Sequence, residues 1–323
     1  MDSPKSYTPD LPMRVLAAGN ALLLPVLSRF GIALGFGDAT VDTVCKAHHV
    51  HTETFLAVAN LTAGLPYNSK SVDTAQLIEY LRGAHHFFID YRLPSLRSQL
   101  LEAVAAGFNT EITLAVLSFF DEFAREVARH MRNEEESMFT ALLKSDPTLA
   151  PERAMGDIKA SHRHIDHKLS ELKDLIICHF TPPAERVNQL NAVLYQLMAC
   201  ERDLKIHCHM EDCLLVPLIT GIPHLETGCA HCAMVENFPA QPLDINGDVM
   251  LTPRECDIIR AIARGLSNKE IASQLFLSVH TVTTHRRNIC AKLNIHSASG
   301  LTVFAIMHGL IPLAQAQQRE ACE

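Results

Sequence analysis

The sequence lacks the features that mark exported, membrane-spanning and repeat proteins. Its start, MDSPKSYTPD, is polar and acidic, whereas a secretory signal has a basic run before an apolar core. The apolar stretch of residues 15–27 is too short to span a bilayer and contains Asn20 and Pro25. Strand signals are few, and no repeat of the solenoid kind is present. We therefore expect a cytoplasmic protein that does not contact a membrane and whose ten cysteines are reduced.

Charge is distributed unevenly along the 323 residues. Residues 251–311 hold seven Lys or Arg against three Asp or Glu, a balance of +4. Residues 1–250 hold 20 against 31, a balance of −11. A basic segment on an acidic chain favours contact with DNA phosphates through that segment alone. The length is sufficient for two or three domains, and a hydrophobic content of 48% allows a large core.

The basic segment has the pattern of a helix-turn-helix. Thr252 can cap a first helix and Gly265 can end it; a short second helix follows. Ser278 can cap a third helix that runs to about Leu293 and presents polar and basic side chains outward, so we expect this helix to enter the major groove of double-stranded DNA. The candidate DNA-contacting residues are Thr281, Thr284 and Arg287 toward bases, and Thr283, His285, Arg286 and Lys292 toward the groove, the phosphates or the domain interior.

This region resembles the C-terminal domain of LuxR-type bacterial transcription regulators. The shared residues are Leu251-Thr252-Pro253-Arg254-Glu255, Gly265, Asn268-Lys269-Glu270-Ile271-Ala272, Leu277-Ser278, Thr281-Val282, His285, Asn288-Ile289 and Lys292-Leu293. The resemblance implies a four-helix domain that binds promoter DNA as a homodimer. The last helix, about residues 298–309, offers Leu301 and Ala305 for pairing of two copies. Thr283 stands where a groove-contacting Lys is common in the family, which predicts a different base preference.

The middle of the chain predicts four long helices, at about residues 74–104, 110–143, 151–178 and 184–216. Short connections between long amphipathic helices are typical of an up-down-up-down four-helix bundle. The predicted fold class is therefore all-α. Its parts are a small helical N-terminal domain in residues 1–68, the bundle in residues 69–220, a Pro- and Gly-containing linker in residues 221–250 and a four-helix DNA-binding domain in residues 251–323.

Histidine is abundant, with 18 residues, and each predicted bundle helix carries at least one that can face inward. His130 with Glu134, and His207 with Glu211, form two His-x-x-x-Glu motifs, which place an imidazole and a carboxylate on one helix face. Imidazole suits iron, zinc and copper, and a carboxylate can bridge two metals. The set therefore predicts a binuclear site. The other two helices supply His85, His86, His162, His164 and His167.

Residues 74–219 resemble a hemerythrin-like domain, specifically the di-iron proteins linked to repair of damaged iron–sulfur clusters. The resemblance implies two non-haem iron ions, oxo-bridged when oxidised. Carried over residue by residue, it implies terminal ligands and bridging carboxylates at His86, His130, His162 and His207, and at Glu134 and Glu211. His86 is preferred to His85 by its spacing to Leu93-Pro94, and His162 to His164 by its spacing to Leu169; both alternatives stay open.

The chain departs from those repair proteins in two places. Residues 29–32, Arg-Phe-Gly-Ile, are similar to their N-terminal domain, but the turn at residues 34–37 lacks their cysteines. They also supply a further His downstream of the first ligand, where this chain has Gly107. The resemblance therefore implies fewer protein ligands and a more open position on one iron, and it disfavours repair by thiol chemistry.

Together these features predict a non-enzymatic transcription regulator that senses O2, nitric oxide or redox state through a di-iron centre. One alternative is an iron–sulfur cluster repair or iron-handling protein with an accessory DNA-binding domain. Another is a haem- or metal-free ligand sensor in which the bundle serves only as a dimerisation scaffold. Cys229 and Cys232 are either a thiol pair in the linker or, with His224, metal ligands.

Overall fold

A computed structural model describes residues 6–105, 110–144, 151–180, 182–220 and 251–312. The regular elements of this part of the chain are helical, apart from one isolated bridge between Pro12 and Thr40. The all-α prediction is therefore confirmed. Within the same residues, a single helix long and apolar enough to cross a membrane is not found, although one pair of helices bent by 65° passes that test together. The predicted linker and the Cys229–Cys232 pair lie outside the described residues.

The N-terminal region consists of four short helices, α1 to α4. Asn and Thr side chains define some of the connections; Thr40, for example, accepts a hydrogen bond from the backbone N–H of Thr43 at the start of the third helix. A 3-10 turn, Ser69–Ser71, leads into the bundle. The helices are α1 (Met13–Gly19), α2 (Leu23–Arg29), α3 (Val41–Ala47) and α4 (Thr52–Thr62).

Four long helical runs follow, and their bounds match the predicted helices. Three of the runs contain a π-helical segment, in which the i→i+5 hydrogen bonds widen the turn. The first run is α5 (Thr74–His86), a π segment (Phe87–Arg92) and α6 (Leu93–Ala105). The second is α7 (Thr110–Asn133), a π segment (Glu134–Phe139) and α8 (Thr140–Lys144). The third is α9 (Pro151–His179), and the fourth is a 3-10 turn (Ala184–Arg186), α10 (Val187–Met210), a π segment (Glu211–Leu215) and α11 (Val216–Thr220).

The C-terminal region contains the helix-turn-helix with the predicted caps. Thr252 and Glu255 form a capping box at the first helix, and Ser278 caps the third by accepting from the N–H of Thr281. Gly265 has φ +78°, a left-handed conformation that glycine adopts without strain and that ends the first helix. The helices are α12 (Pro253–Ala263), α13 (Asn268–Gln274), α14 (Val279–Leu293) and α15 (Ala298–Met307).

The chain divides into two compact units, to both of which the four long runs contribute. The first unit comprises Met1–Arg92, Ala128–His162 and Cys200–Pro242. Its core joins apolar side chains of α1 to α5 to Met138, Phe139, Ile206, Met210 and Leu214 of the later runs, so the N-terminal helices and this part of the bundle share one core. The second unit comprises Leu93–Val127, Arg163–Ala199 and Leu243–Glu323, and includes the helix-turn-helix.

Candidate metal centre and nucleic-acid interface

Six buried side chains from four helices converge in the first unit. Glu134 and Glu211 are 4% and 0% exposed, which is unusual for carboxylates. Each is the first residue of a π segment that follows the helix bearing its His-x-x-x-Glu partner. π segments are frequent at functional sites because the widened turn alters where side chains point. The four imidazoles around these carboxylates belong to His85, His130, His162 and His207.

The two carboxylates lie between two pairs of histidines. Glu134 places Oε1 3.2 Å from His130 Nε2 and 3.8 Å from His162 Nε2, and Oε2 3.6 Å from His85 Nε2. Glu211 places Oε2 3.1 Å from His162 Nε2, and Oε1 3.2 Å from His207 Nε2 and 3.9 Å from His85 Nε2. Each carboxylate therefore directs one oxygen to each histidine pair. Two four-residue groups result, and they share both carboxylates: one adds His85 and His207, the other His130 and His162.

The polar atoms of this cluster have the properties of metal ligands. Both oxygens of Glu134, both oxygens of Glu211 and the Nε2 atoms of His130 and His162 are buried without a hydrogen-bond partner in the described part of the chain. Buried polar atoms without partners are costly and therefore rare in folded proteins. The Nε2 atoms of His85 and His207 also face each other at 3.2 Å. A cation within each group would satisfy these atoms, so the residues present fit a pair of metal ions.

The electrostatics of the cluster agree with a cation site. Burial and the neighbouring Glu211 raise the pKa of Glu134 to about 8. Burial would also raise the pKa of Glu211, but His207, His162 and His85 lower it well below its usual range. Burial lowers the pKa of His130 to about 3, which keeps this imidazole neutral and its lone pair available at neutral pH. Burial and the adjacent Glu211 both disfavour the charged form of Glu134, and a cation between the two carboxylates would offset both effects.

The structure corrects one predicted site residue, because it places His85, not His86, in the cluster. The His85 side chain is 1% exposed, whereas that of His86 is 76% exposed and faces Asp90. Spacing to the buried Leu93 favours His86 only in an unbroken α-helix, where residues seven apart share a face. The π segment between them adds one residue to the turn, so the residue in phase with Leu93 is His85.

The other predicted histidines of the bundle differ in their exposure. His162 is 7% exposed and belongs to the cluster, while His164 is 59% exposed and lies 3.2 Å from Glu126. His167, also exposed, lies beside Glu171. Gly107, where the repair proteins have a further His, is outside the described residues.

Two further residues, one on a cluster histidine and one on neighbouring aromatic rings, were not predicted as site residues from the sequence. Glu135 Oε1 lies 2.8 Å from His85 Nδ1, an arrangement that orients an imidazole and raises its basicity as a ligand. The buried guanidinium of Arg29 pairs with Asp203 at 2.6 Å and lies over the rings of Phe87 and Phe88. Glu135 is hidden in the sequence because the run of residues 134–136, three consecutive Glu, has the pattern of a solvated helix face.

The candidate DNA-contacting residues on α14 are not equally available. Arg287 and Thr283 are exposed, and Thr281, Thr284 and His285 are half-buried. Two basic side chains are already bonded within the domain: Arg286 donates to Asn268 at 2.8 Å, and Lys292 donates to the buried Glu255 at 2.7 Å. These two side chains therefore have a structural partner, while Arg287 is presented to solvent.

In the described residues, fold and site together define a helical bundle with a buried His and Glu cluster, followed by a helix-turn-helix domain. The family model described as hemerythrin HHE cation binding domain matches residues 77–219. The model described as bacterial regulatory proteins, luxR family, matches residues 249–305. Both family resemblances seen in the sequence are thus confirmed, and the chain carries one domain of each kind.

Curated relatives share part of the chain. It is 57% identical over 53 residues to a nitrate/nitrite response regulator protein homolog of Haemophilus influenzae, over 16% of this chain and 26% of that protein. It is 46% identical over 65 residues to the transcriptional regulatory protein MctR of Rhizobium johnstonii (20% and 30%), and 44% identical over 62 residues to the response regulator protein VraR of Staphylococcus aureus (19% and 30%). The chain spans less than a third of the length of each of these relatives.

Proposed function

We propose that this protein is a transcription regulator in which two metal ions in the bundle control DNA binding by residues 251–312. The observation that carries the proposal is the cluster of buried, unpartnered nitrogen and oxygen atoms in the same chain as a luxR-type domain. The relatives of that domain are named as response regulators or a transcriptional regulatory protein. DNA as a partner, a homodimer and a cytoplasmic location are parts of the same proposal.

The donor set favours iron. Each group offers two imidazoles and two carboxylates, and mixed nitrogen and oxygen ligands with coordination positions left open suit non-haem iron. Iron held there would supply a redox-active centre able to take O2 or nitric oxide. The chain supplies a dry environment, since the ring of Phe139 stacks on His85 at 5.4 Å and Phe88 meets His207 at 6.0 Å. These rings and the burial of the six side chains shield the cluster from bulk water.

The test combines an iron assay with gel shifts on the full chain, using a duplex selected by this protein from a random pool. Reduced, oxidised and nitric-oxide-treated samples are compared, and His85→Ala is matched with His86→Ala. We expect two iron ions per chain in wild type and in His86→Ala, and DNA affinity that differs between the treatments. His85→Ala should lose iron and the dependence of affinity on treatment.

Two outcomes would count against this function. DNA affinity that is the same in all three treatments of iron-loaded protein would exclude sensing. Restoration of a damaged iron–sulfur cluster by catalytic amounts of the protein would favour the repair alternative instead.

A further inference from the structure

Helix α15 of the DNA-binding domain begins on a carboxylate from the bundle helix α9. Glu171 Oε1 accepts a hydrogen bond from the backbone N–H of Ser297 at 2.7 Å and another from the N–H of His296. The N–H groups at a helix start lack partners within the helix, and the helix dipole favours an anion there. Glu171 is 2% exposed, so its carboxylate is shielded from water at this contact.

Further residues of both helices approach or contact each other around this carboxylate. A Cβ on Gly300 would lie 2.7 Å from Ile295 Cγ2, 3.0 Å from Ser297 Oγ and 3.2 Å from Glu171 Oε2, so the carboxylate is one of three groups that approach this glycine closely. One turn before Glu171, the His167 ring meets the His296 ring edge-on, with centroids 4.6 Å apart. Asn294 also donates to Asp174 at 3.4 Å. The start of α15 is therefore held by several polar groups of α9.

A second group of contacts joins the C-terminal halves of the same helices. The His179 ring packs edge-on against Phe304 at 5.4 Å and against His308 at 4.9 Å. His179 Nδ1 also lies 3.2 Å from His308 Nε2. Helix α9 thus follows α15 from its first turn to its last.

In the described part of the chain, the contacts with α9 and α12 together leave α15 without an accessible apolar face. Val303, Phe304, Ala305 and Ile306 are all buried. Four consecutive helical side chains point in directions about 100° apart, so burial of all four encloses the helix. Leu301, which the sequence predicts to pair two copies, is 0% exposed within a single chain, as is Ala305. Because α12 packs on α15 as well, α9 covers only part of this surface.

We infer that α15 is an interaction surface with two mutually exclusive partners, α9 of its own chain and α15 of a second copy. Release from α9 would expose the apolar side chain of Phe304, and burying such surface against another copy is favourable. A helix-turn-helix dimer also matches DNA with two half-sites. The α9 contact therefore keeps the chain monomeric and weakens DNA binding. This inference rests on the proposed function, because it states how the bundle controls the DNA-binding domain.

The bundle helix that holds α15 is also the helix that carries a cluster histidine. His162 lies nine residues before Glu171 on α9, roughly 14 Å along the helix axis at 1.5 Å per residue. A small shift or rotation of α9 that follows from a change at His162 moves Glu171 with it. Hydrogen bonds and ring contacts at the α15 interface depend on sub-ångström placement, so such a shift biases release.

The test compares full-length wild type, Glu171→Ala and Glu102→Ala by sedimentation velocity; Glu102 is an exposed carboxylate of the same unit. We expect Glu171→Ala to form dimers at concentrations where wild type and Glu102→Ala are monomers. It should also bind a selected duplex with two half-sites more tightly than wild type, by roughly 5- to 150-fold, the range usual for coupling between sites.

Amide hydrogen exchange provides the second measurement. Exchange at His296 and Ser297 should be slow in wild type and fast in Glu171→Ala, with unchanged helical content by circular dichroism. Should Glu171→Ala fail to fold, Glu171→Gln, which keeps an acceptor oxygen but removes the charge, should show a smaller shift in the same direction. Equal sedimentation of the Glu171 variants and wild type would overturn the inference. Absence of DNA binding in every variant would instead overturn the proposed function, while sedimentation would still decide the inference.

Discussion

At the scale of single residues, the cluster around Glu134 and Glu211 leaves buried oxygens without a hydrogen-bond partner in the described residues, which costs stability. Both carboxylates are buried and adjacent, and each faces imidazole nitrogens without a hydrogen bond. Leaving such groups unsatisfied costs about 1–3 kcal/mol each, and more when they are charged. The cluster therefore lowers the stability of the metal-free protein, and it arranges the site in advance for cations.

Removal of metal should lower the stability of the protein. A ligand that binds only the folded chain at 1,000 times its Kd stabilises it by about 4 kcal/mol. We expect a clear fall in Tm when a chelator is added to iron-loaded protein, measured by circular dichroism. His85→Ala is the control, since its melting should respond little to the chelator. The proposal would be contradicted by equal melting of iron-loaded and chelated wild type.

Glu135 should tune the affinity for metal without being a ligand. Its carboxylate holds the Nδ1 side of His85, and loss of such a partner typically costs 10- to 100-fold in metal affinity. Glu135→Gln should therefore weaken iron binding in a chelator competition assay, whereas Glu136→Gln, at the exposed neighbouring position, should not. Equal affinities of the two variants would remove Glu135 from this role.

Substitutions of Arg287 and Lys292 should separate effects on DNA binding from effects on the stability of the domain. Arg287 is exposed on α14, and loss of a base contact costs about 1–3 kcal/mol of binding. Lys292 bonds to the buried Glu255 of the capping box, a partly exposed pair whose loss costs about 1 kcal/mol of stability. Arg287→Ala should lower DNA affinity with unchanged Tm, and Lys292→Met should lower Tm more. Gel shifts and thermal melts of both variants would show whether the roles are reversed.

At the scale of helical elements, the π segments explain how the long runs serve both the site and the core. The π segment Phe87–Arg92 adds one residue to the helical turn. His85 and Leu93 therefore lie on the same face of the run. The segments that begin at Glu134 and Glu211 place two buried carboxylates where their helices leave regular α geometry. Backbone hydrogen bonding is locally irregular at these points, and the two glutamates there belong to the candidate metal centre.

This phase relation predicts an unusual tolerance of deletion. Removing the exposed Tyr91 should convert the first π segment to α-helix while His85 and Leu93 keep a common face, because seven residues then separate them. The Tyr91 deletion should fold with native helical content by circular dichroism. Deletion of the exposed Glu79, within regular α5, should rotate the neighbouring core residues by about 100° and prevent folding. Unfolding of both deletions would contradict this account of the segment.

At the scale of the whole molecule, α9 connects the cluster to the DNA-binding domain, and its contact with α15 should respond to pH. Burial and His308 lower the pKa of His179, and burial lowers that of His308. Both folded values thus lie below the unfolded value of about 6.5. The stability from the neutral rings is present above pH 6.5 and is lost as the pH falls below it.

Acidification should therefore favour release of α15. Dimer formation, measured by sedimentation, should increase between pH 7.5 and pH 5.5 in wild type. His179→Gln cannot take up this proton and should show a smaller change over the same range. If the two chains respond alike, the pH dependence comes from other groups, such as Glu171, His167 or His296, which face the same interface.

Much of this organisation could be predicted because its signals are local. The caps at Thr252 and Ser278 and the long apolar periodicities depend on residues a few positions apart, and the helix bounds follow from them. The choice of His85 over His86 could not be predicted, because it depends on a π segment whose hydrogen bonding has no sequence signature. Glu171 was hidden for a different reason: its partners lie more than a hundred residues away in the chain.

The sequence by itself determined the all-α class, the two domain families and the pairing of His130 with Glu134 and of His207 with Glu211, since four-residue spacing alone brings each pair together. Only the tertiary structure decided which histidine of the first helix joins them and that α15 is buried against both α9 and α12. Helix phase across a π segment and burial between distant helices both depend on how the whole chain packs. Local sequence patterns do not reveal that packing.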